Sequence, residues 1–371
     1  MHQRRNRVRV GGRFAAVATV VLLLAAGCGS SGGSSGGASG GDDSAKGPLV
    51  VASWGSSTSE SMRKYLAEPF TKETGIEIQI VDAPGKYAAS VQAQSRAGKI
   101  QWDILDATSA PDAYALDKLG LLEHLPADLK ADLEKILVKD SVKDFGYSFS
   151  ALGYLVTCHN KRAPKCPGTA KEYFDAKANP APRQMIATSP LVNLSLAELA
   201  NGVPAKELGT HEIDLDRAFA KLEELKPAVK VWWQSSDQSQ QTMRTGEVDL
   251  GVMYSGRAYL LQEQGTPVTP VWTEGLYNPG FMNVVKGSKH KEASFRFLRW
   301  IAEHPEAQAG WASGTRNSVP NPKAFDHMTP ALRESLADWP ANREVLANMN
   351  YGWYVKNFDE VNTRWQEFLR G

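Results

Sequence analysis

"PLVVASWGSSTSESMRKYLAEPFTKETGIEIQIVDA", residues 48–83, alternates strand and helix patterns. Residues 48–54 are apolar and β-branched, which predicts a buried strand, and residues 76–83 alternate apolar and polar side chains like a second strand. The segment between them is predicted to be a helix that ends at Gly75. Strand, helix and strand in this order indicate the α/β class, with a parallel sheet that helices cover on both faces.

The same alternation continues toward Gly120. We predict a helix at 86–98, a third strand at 102–107 and a further helix at 110–120. In open parallel sheets, ligands bind beyond the carboxyl ends of the strands. This rule directs attention to two segments, 53–57 and 106–112.

A second unit is predicted downstream, because about 320 residues follow the N-terminal segment and exceed one ordinary core. Residues 146–160 are apolar and β-rich, and would carry the chain into that unit. The elements predicted there are a helix at 215–229, a turn and strand at 245–256, a helix opened by Gly256, a strand at 280–287, one long helix at 290–313 and a largely helical tail at 341–371.

The N-terminus has the pattern of an export signal. Five arginines and no acid precede an apolar run from Phe14 to Ala26, which is shorter than the roughly 20 residues that span a bilayer. Residues 1–27 are therefore predicted to be a signal peptide. The sequence Ala25-Ala26-Gly27-Cys28 resembles a bacterial lipobox, which implies a lipid attached to Cys28. The Gly/Ser-rich segment 28–47 would be a flexible linker, and the protein an extracytoplasmic one, lipid-anchored to the cell membrane.

Composition and motifs narrow the chemistry. The chain carries 42 basic and 41 acidic residues, without a basic stripe, so no nucleic-acid partner is expected. Phosphate-loop, G-x-S-x-G and H-E-x-x-H motifs are absent, and the seven histidines are scattered. We therefore expect no catalytic residues, no metal and no cofactor. Cys158 and Cys166, eight residues apart, favour a disulfide outside the cytoplasm.

Aromatic residues stand near predicted strand ends and turns. Trp54 and Tyr254 each close a strand and run into small residues, Gly55-Ser56-Ser57 and Ser255-Gly256, which would expose a ring and backbone amides to a cleft. Tyr277 and Phe281 share the pattern, and core packing remains the alternative for all four. Arg257 opens a predicted helix whose amides favour anions, as Ser189 does before Pro190.

Several segments resemble the polyamine-type extracellular solute-binding proteins of ABC importers, such as the spermidine/putrescine-binding proteins. The segments are "WDILDATSAPDAYALDKLGLLEHL" (102–125), "GTAKEYFDAKANPAPRQM" (168–185), "GEVDLGVMYSGRA" (246–258), "GTPVTPVWTEG" (265–275) and "GFMNVVKGSKHKEASFRFLRWIAEHPEAQA" (280–309). The likeness covers residues 48–371 in order.

The resemblance implies a two-lobed periplasmic-binding-protein (type II) fold, with two hinge crossings near 147–156 and 278–284. Lobe 1 would comprise 48–150 plus 282–323, and lobe 2 would comprise 151–281 plus 324–371. A solute in the interlobe cleft favours the closed form by touching both lobes. The closed protein, a monomer, would then deliver its small-molecule solute to permease subunits in the membrane.

The same resemblance places Trp54, Ser109, Tyr254 and Gln366 at solute contacts. The residues themselves add Ser56, Ser57, Asp112, Ser189, Arg257, Tyr277 and Phe281 as candidates, with Asp106 as a further possible ammonium contact. The family's carboxylates are missing, since "YNPGFMN" (277–283) holds no acid and Thr188, Ser189 and Val192 stand where two more would be. We therefore predict a polar organic solute that is polyamine-like or zwitterionic.

Two other classes stay open. A ferric-ion binder of the same fold would use neighbouring tyrosines, such as Tyr351 and Tyr354. A secreted, anchored hydrolase would need a nucleophile and a base brought together by the fold.

Overall fold

The computed structural model describes residues 47–163 and 165–371. The predicted signal peptide, Cys28 and nearly all of the Gly/Ser segment 28–47 lie outside the described residues.

All strands of the described residues belong to one ten-stranded sheet with the order β2-β1-β3-β9-β5-β8-β6-β7, in which β10 pairs with β9 and β4 with β5. The strands are Leu49–Ser53 (β1), Ile78–Asp82 (β2), Ile104–Ser109 (β3), Val142–Lys143 (β4), Gly146–His159 (β5), Arg183–Ile186 (β6), Val229–Trp233 (β7), Leu250–Tyr254 (β8), Val268–Val284 (β9) and Ala347–Asn348 (β10).

The described residues also form sixteen α-helices. They are Ser56–Ser61 (α1), Glu68–Thr74 (α2), Tyr87–Arg96 (α3), Ala110–Lys118 (α4), Ala127–Ile136 (α5), Ala170–Phe174 (α6), Pro190–Ala200 (α7), Leu215–Leu225 (α8), Ser236–Thr245 (α9), Ser255–Glu263 (α10), Lys291–Glu303 (α11), Pro305–Thr315 (α12), Pro330–Arg333 (α13), Pro340–Val345 (α14), Tyr351–Lys356 (α15) and Phe358–Arg370 (α16). In this part of the chain, we find no helix with the length and apolarity needed to cross a membrane.

The sheet has two parallel parts joined by an antiparallel pair. Strand β1 is parallel to β2 and β3, and β6 is parallel to β7 and β8. Strands β5 and β9 are antiparallel to each other, and they connect the two parts because β9 pairs with β3 and β5 pairs with β8. The fold is therefore the two-lobed α/β arrangement. Both predicted crossings fall within β5 and β9, whereas the exact lobe boundaries remain a prediction.

Three predicted elements differ from the observed ones. Strand β9 begins at Val268 instead of residue 280, because Pro270, Pro279 and the glycines in this run weaken its strand signal. The long helix predicted at 290–313 breaks at His304, where Pro305 begins α12. The helix predicted before Gly75 contains a π-helical turn at 62–67 between α1 and α2, and it ends at Gly75 in the left-handed conformation as expected.

Apolar side chains cover both faces of the sheet. One cluster packs α2, α5, α11 and α12 against β1, β3 and β9, with Phe70, Phe297 and Trp311 fully buried. The other cluster runs through the β5–β8 part and includes α7, the helix whose residues are buried from Pro190 to Leu199. Buried sheets of this kind leave their strand ends as the places where polar groups converge.

Candidate functional site: a cavity at the strand ends

A cavity of about 900 Å³ opens between the two parts of the sheet. Each parallel strand from β1, β3, β6, β7 and β8 contributes residues at or just beyond its carboxyl end. The connecting strands β5 and β9 supply the floor through Ser150, Leu152, Asn278 and Gly280. The cavity thus lies beyond the carboxyl ends of the parallel strands, which is where ligands bind in open sheets of this kind.

Trp54 stands at the end of β1 with 39 % of its surface exposed, and it lines the cavity. Its indole N–H donates to the carbonyl oxygen of Ala107 at 2.9 Å, and the Tyr87 ring meets it edge-on at 5.7 Å between centroids. The next residue, Gly55, has φ 83°, a left-handed conformation that suits glycine. This turn leaves one face of the indole available to a solute.

Tyrosines form a second aromatic part of the wall. The Tyr154 hydroxyl donates to the Tyr254 hydroxyl at 3.2 Å, and their rings lie 4.8 Å apart. Tyr351 and Tyr354 of α15 complete this part. Burial raises the pKa of all four phenols, so each is protonated at neutral pH and can donate a hydrogen bond.

The cavity is electrostatically suited to anions. The first turns of α7 and α10 line it, and neither helix has a side chain that caps its N-terminus. Uncapped amides at a helix N-terminus attract negative charge. Arg257 of α10 also lines the cavity, with Asp237 3.4 Å from its guanidinium. No aspartate, glutamate or histidine is among the described residues that line it.

Metal-binding clusters are not found in the described residues: no three or more His, Cys, Asp or Glu side chains are arranged to hold an ion. The cavity therefore offers rings, hydroxyls, amides and arginine, which bind organic groups by stacking and hydrogen bonds.

The family model of bacterial extracellular solute-binding proteins matches residues 65–343, well over half of the chain. The chain belongs to this family. Family membership makes it an extracytoplasmic solute-binding protein.

Individual relatives of this solute-binding protein agree in fold. The gamma-aminobutyric acid-binding protein of Pseudomonas aeruginosa is 25% identical over 85% of this chain and 89% of its own length. An ABC transporter substrate-binding protein from Bradyrhizobium japonicum superposes with a TM-score of 0.78 at 27% identity, covering 86% of this chain and 99% of that one. The structure of the Atu4243–GABA receptor superposes with a TM-score of 0.77 at 29% identity, covering 87% of this chain and 97% of that one. The spermidine/putrescine-binding protein of Escherichia coli is 23% identical, over only 36% of this chain and 38% of its own.

Six of the residues predicted from the sequence come together in the cavity wall of the solute-binding protein. They are Trp54, Ser57, Ser109, Ser189, Tyr254 and Arg257. Ser109 also caps α4, because its hydroxyl accepts from the backbone N–H of Asp112 at 3.3 Å.

Two predicted aromatic contacts lie in the core instead. Tyr277 is 8% exposed and donates its hydroxyl to Asp338 at 2.9 Å, while Arg343 lies over its ring. Phe281 is 2% exposed and packs against Phe145. Neither is among the residues that line the cavity, because core side chains cover both. We correct their role to core packing.

The other candidates also lie outside the wall. Ser56 is exposed at the start of α1, and Gln366 is exposed on α16. Asp106 is fully buried behind Trp54 and does not reach the cavity. Asp112 is not among the lining residues, and burial raises its pKa. Neither aspartate therefore supplies the expected direct ammonium contact.

Besides Tyr154, two further parts of the wall were not predicted from the sequence. One part follows β7 and consists of Gln234, Ser235 and Ser236. The strand sequence "VKVWW" ends in an aromatic residue before small polar ones, which is the same pattern that pointed to Trp54. Residues 313–317, at the end of α12, have no local signal, because only the packing of α12 brings them to the cavity.

The structure pairs Cys158 with Cys166, and their Cα atoms are 5.5 Å apart. The bond joins the end of β5 to the loop that follows it. It lies away from the cavity wall, so its contribution is to the fold.

Proposed function

We propose that this protein is the solute-binding component of an ABC importer and captures a small zwitterion with a carboxylate and an ammonium group. One observation carries the proposal: the cavity presents Arg257 and uncapped helix N-termini, but no acidic side chain. The solute would pass from the cavity to permease subunits in the membrane.

The carboxylate of such a solute would bind near Arg257. A guanidinium and backbone amides are the donors that proteins use for carboxylates. The first turns of α7 and α10 add amide donors on the same side of the cavity, in the β6–β8 part of the sheet. The Asp237 partner of Arg257 is 84% exposed, so solvent already weakens that ion pair and a solute can replace it.

The ammonium group would bind over aromatic rings. Trp54 and Tyr254 each present a ring to the cavity, and cation–π contacts contribute about 0.5–2 kcal/mol each. One ammonium can be held in this way together with nearby hydroxyl and carbonyl oxygens. A polyamine carries several ammonium groups, and without carboxylates in the wall their desolvation would not be offset. A short ω-amino acid therefore fits better than spermidine.

The relatives support the same direction. The gamma-aminobutyric acid-binding protein matches this chain over most of its length, whereas the polyamine-binding relative matches over a minor part. Gamma-aminobutyric acid is accordingly the first solute to test.

The two alternative classes receive less support from the cavity. Ferric coordination requires several anionic or imidazole ligands around the ion, and beside Tyr351 and Tyr354 no carboxylate or histidine is among the lining residues described. A hydrolase requires a base beside a nucleophile, and no histidine or carboxylate is among the lining residues described.

We also propose that the lobes, 48–150 plus 282–323 and 151–281 plus 324–371, close around the solute by bending β5 and β9. A monomer anchored through a lipid on Cys28 would remain near the permease while the linker lets it move.

The test is calorimetry of the purified protein with gamma-aminobutyric acid, putrescine and spermidine. We expect gamma-aminobutyric acid to bind more tightly than either amine. Arg257→Ala should weaken its binding about ten- to a hundredfold, because a hydrogen-bonded charge contributes about 1.5–3 kcal/mol. Arg296→Ala, on the exposed face of α11, serves as the control and should leave binding unchanged. Tight spermidine binding that is indifferent to Arg257→Ala would contradict the proposal.

A further inference from the structure

Asp106 is a buried carboxylate beneath the Trp54 turn, and the solute contacts do not account for it. It has no exposed surface and lies in β3, next to Ala107. The Ser53 hydroxyl donates to it at 2.6 Å, and the Tyr87 hydroxyl donates at 2.7 Å. A carboxylate at such a place needs these donors, since its desolvation is costly.

The hydrogen bond and the ring contact that orient the Trp54 indole both involve residues next to this carboxylate. The Ser53 hydroxyl, one residue before Trp54 at the end of β1, donates a hydrogen bond to Asp106. The Tyr87 ring packs edge-on against the indole, and the hydrogen bond that the Tyr87 hydroxyl donates to Asp106 fixes the position of this ring. Ala107, whose carbonyl accepts the indole N–H, directly follows Asp106 and has φ 41°, a strained value for alanine. Strain of this kind persists only where neighbouring contacts enforce it.

We propose that Asp106 is a positioning residue that fixes the Trp54 ring at the cavity and makes solute affinity depend on pH. This inference rests on the proposed function for the role of Trp54 as a solute contact. The effect on the indole itself does not depend on which solute binds.

Protonation of Asp106 would disturb the network. As an anion the carboxylate accepts from the Ser53 and Tyr87 hydroxyls, whereas a protonated acid brings a donor of its own and loses acceptor capacity. Burial raises its pKa to about 7, and the negative charge of Asp82, at the end of β2, adds to the effect. The titratable groups that face it are thus Asp82 of β2 and Tyr87 of α3, with the Ser53 hydroxyl on β1. Solute affinity should fall as the pH falls through about 7.

The first experiment needs no solute. The difference in tryptophan emission between the wild type and Trp54→Phe isolates the Trp54 signal, and we expect it to titrate near pH 7. Asp106→Asn should abolish this transition. Asp103→Asn is the matched control, because Asp103 is also buried just before β3 but bonds Ser288 and the Val50 amide, away from the cavity. It should keep the transition.

Tyr87→Phe provides a variant that retains the ring and the carboxyl group. The Tyr87 hydroxyl lowers the pKa of Asp106 by donating to it, so its removal should move the Trp54 transition to higher pH. A purely structural role for Tyr87 or Asp106 would lower stability without moving this midpoint. The variant also covers the case in which Asp106→Asn does not fold.

The second experiment measures gamma-aminobutyric acid affinity between pH 5.5 and 8.5. Asp106→Asn should weaken binding about tenfold at pH 8 and flatten the pH profile, as expected for a lost charged acceptor. A Trp54 signal that does not titrate, or that titrates equally in Asp106→Asn, would overturn the inference. If the signal titrates as expected but Trp54→Ala leaves affinity unchanged, the proposed function of Trp54 fails and the positioning role stands.

Discussion

At the residue scale, the aromatic side chains predicted as solute contacts differ in role because different groups cover them. Trp54 ends a strand beside Gly55 and stays 39% exposed at the cavity. Tyr277 lies within β9, where Asp338 accepts from its hydroxyl and Arg343 covers its ring. Burial raises the pKa of Asp338 to about 6, and the Tyr277 hydroxyl opposes that rise. Tyr277 is therefore expected to act on stability.

Tyr277→Phe should lower the free energy of unfolding by about 1.5–3 kcal/mol at pH 8, where Asp338 is ionised and loses a donor. The loss should be smaller at pH 5. At pH 5 Asp338 is mostly protonated, so the bond from Tyr277 is no longer made to a charged group. The raised pKa of Asp338 also means that the folded protein binds this proton more tightly than the unfolded chain does. The contribution of Asp338 to stability therefore decreases as the pH rises through about 6. Urea unfolding at the two pH values measures the difference.

Binding of gamma-aminobutyric acid provides the contrast for this variant. Tyr277→Phe should leave it unchanged, whereas Tyr254→Phe, in the cavity wall, should alter it. An effect of Tyr277→Phe on affinity as large as that of Tyr254→Phe would contradict the core assignment.

At the element scale, α12 is positioned by two glycines that allow close approach to the helical segment containing Ser61 and Tyr65. A Cβ atom at Gly310 would lie 2.3 Å from the Tyr65 ring, and one at Gly314 would lie 2.1 Å from the Ser61 hydroxyl oxygen. This crossing places residues 313–317 at the cavity. The end of α12 thus reaches the site through packing that no local pattern indicates.

Gly310→Ala should destabilise the protein by about 1–3 kcal/mol, because overpacking outweighs the helix propensity of alanine. Gly352→Ala in α15 is the matched control. Its Cβ would have only the Asn350 side chain nearby, at 3.8 Å, so propensity should prevail and raise stability by up to about 1 kcal/mol. Thermal unfolding measures the change in stability of each variant. If both variants were stabilised, or both destabilised, the packing argument would be refuted.

At the scale of the whole molecule, one ion pair connects helices that pack on different parts of the sheet. Arg316 ends α12, which packs against α1, while Glu263 lies in α10, which packs against β8. Among the ion pairs of residues 47–163 and 165–371, it is the one that spans the two proposed lobes. Arg316 adopts a left-handed conformation with φ 57°, and α10 also carries Arg257 at its other end. Helix α10 therefore carries both the proposed solute contact, Arg257, and the contact between the proposed lobes, Glu263.

We expect Glu263→Arg to separate the lobes, because it replaces an attraction at Arg316 with a repulsion. Small-angle scattering without solute should show a larger radius of gyration, and affinity for gamma-aminobutyric acid should fall about two- to fivefold, in line with a partly exposed pair. Adding Arg316→Glu should restore the radius of gyration. Asp216→Arg, at the exposed pair with Arg364 within one proposed lobe, should have neither effect. A double variant as expanded as the single one would exclude the contact as a cause.

The sequence by itself determined the parallel strand–helix order, the end of the helix at Gly75, the presence of Trp54 and Tyr254 at strand ends, and the presence of Arg257 at the start of a helix. These features depend on side-chain periodicity and turn residues, which are local properties of the chain. The acid-poor segment at 277–283 likewise led to the prediction of a polar organic solute that is polyamine-like or zwitterionic.

Only the tertiary structure decided which of these groups share a surface. It directed Trp54 toward the cavity and Phe281 into the core, placed Asp106 behind the indole, and brought Tyr351 and residues 313–317 to the wall from distant parts of the chain. It also extended β9 through Pro270 and Pro279. Which side chains are buried, and which residues they contact, depends on the helices and strands that pack over each element. Those elements come from distant parts of the sequence, so no local pattern encodes the outcome.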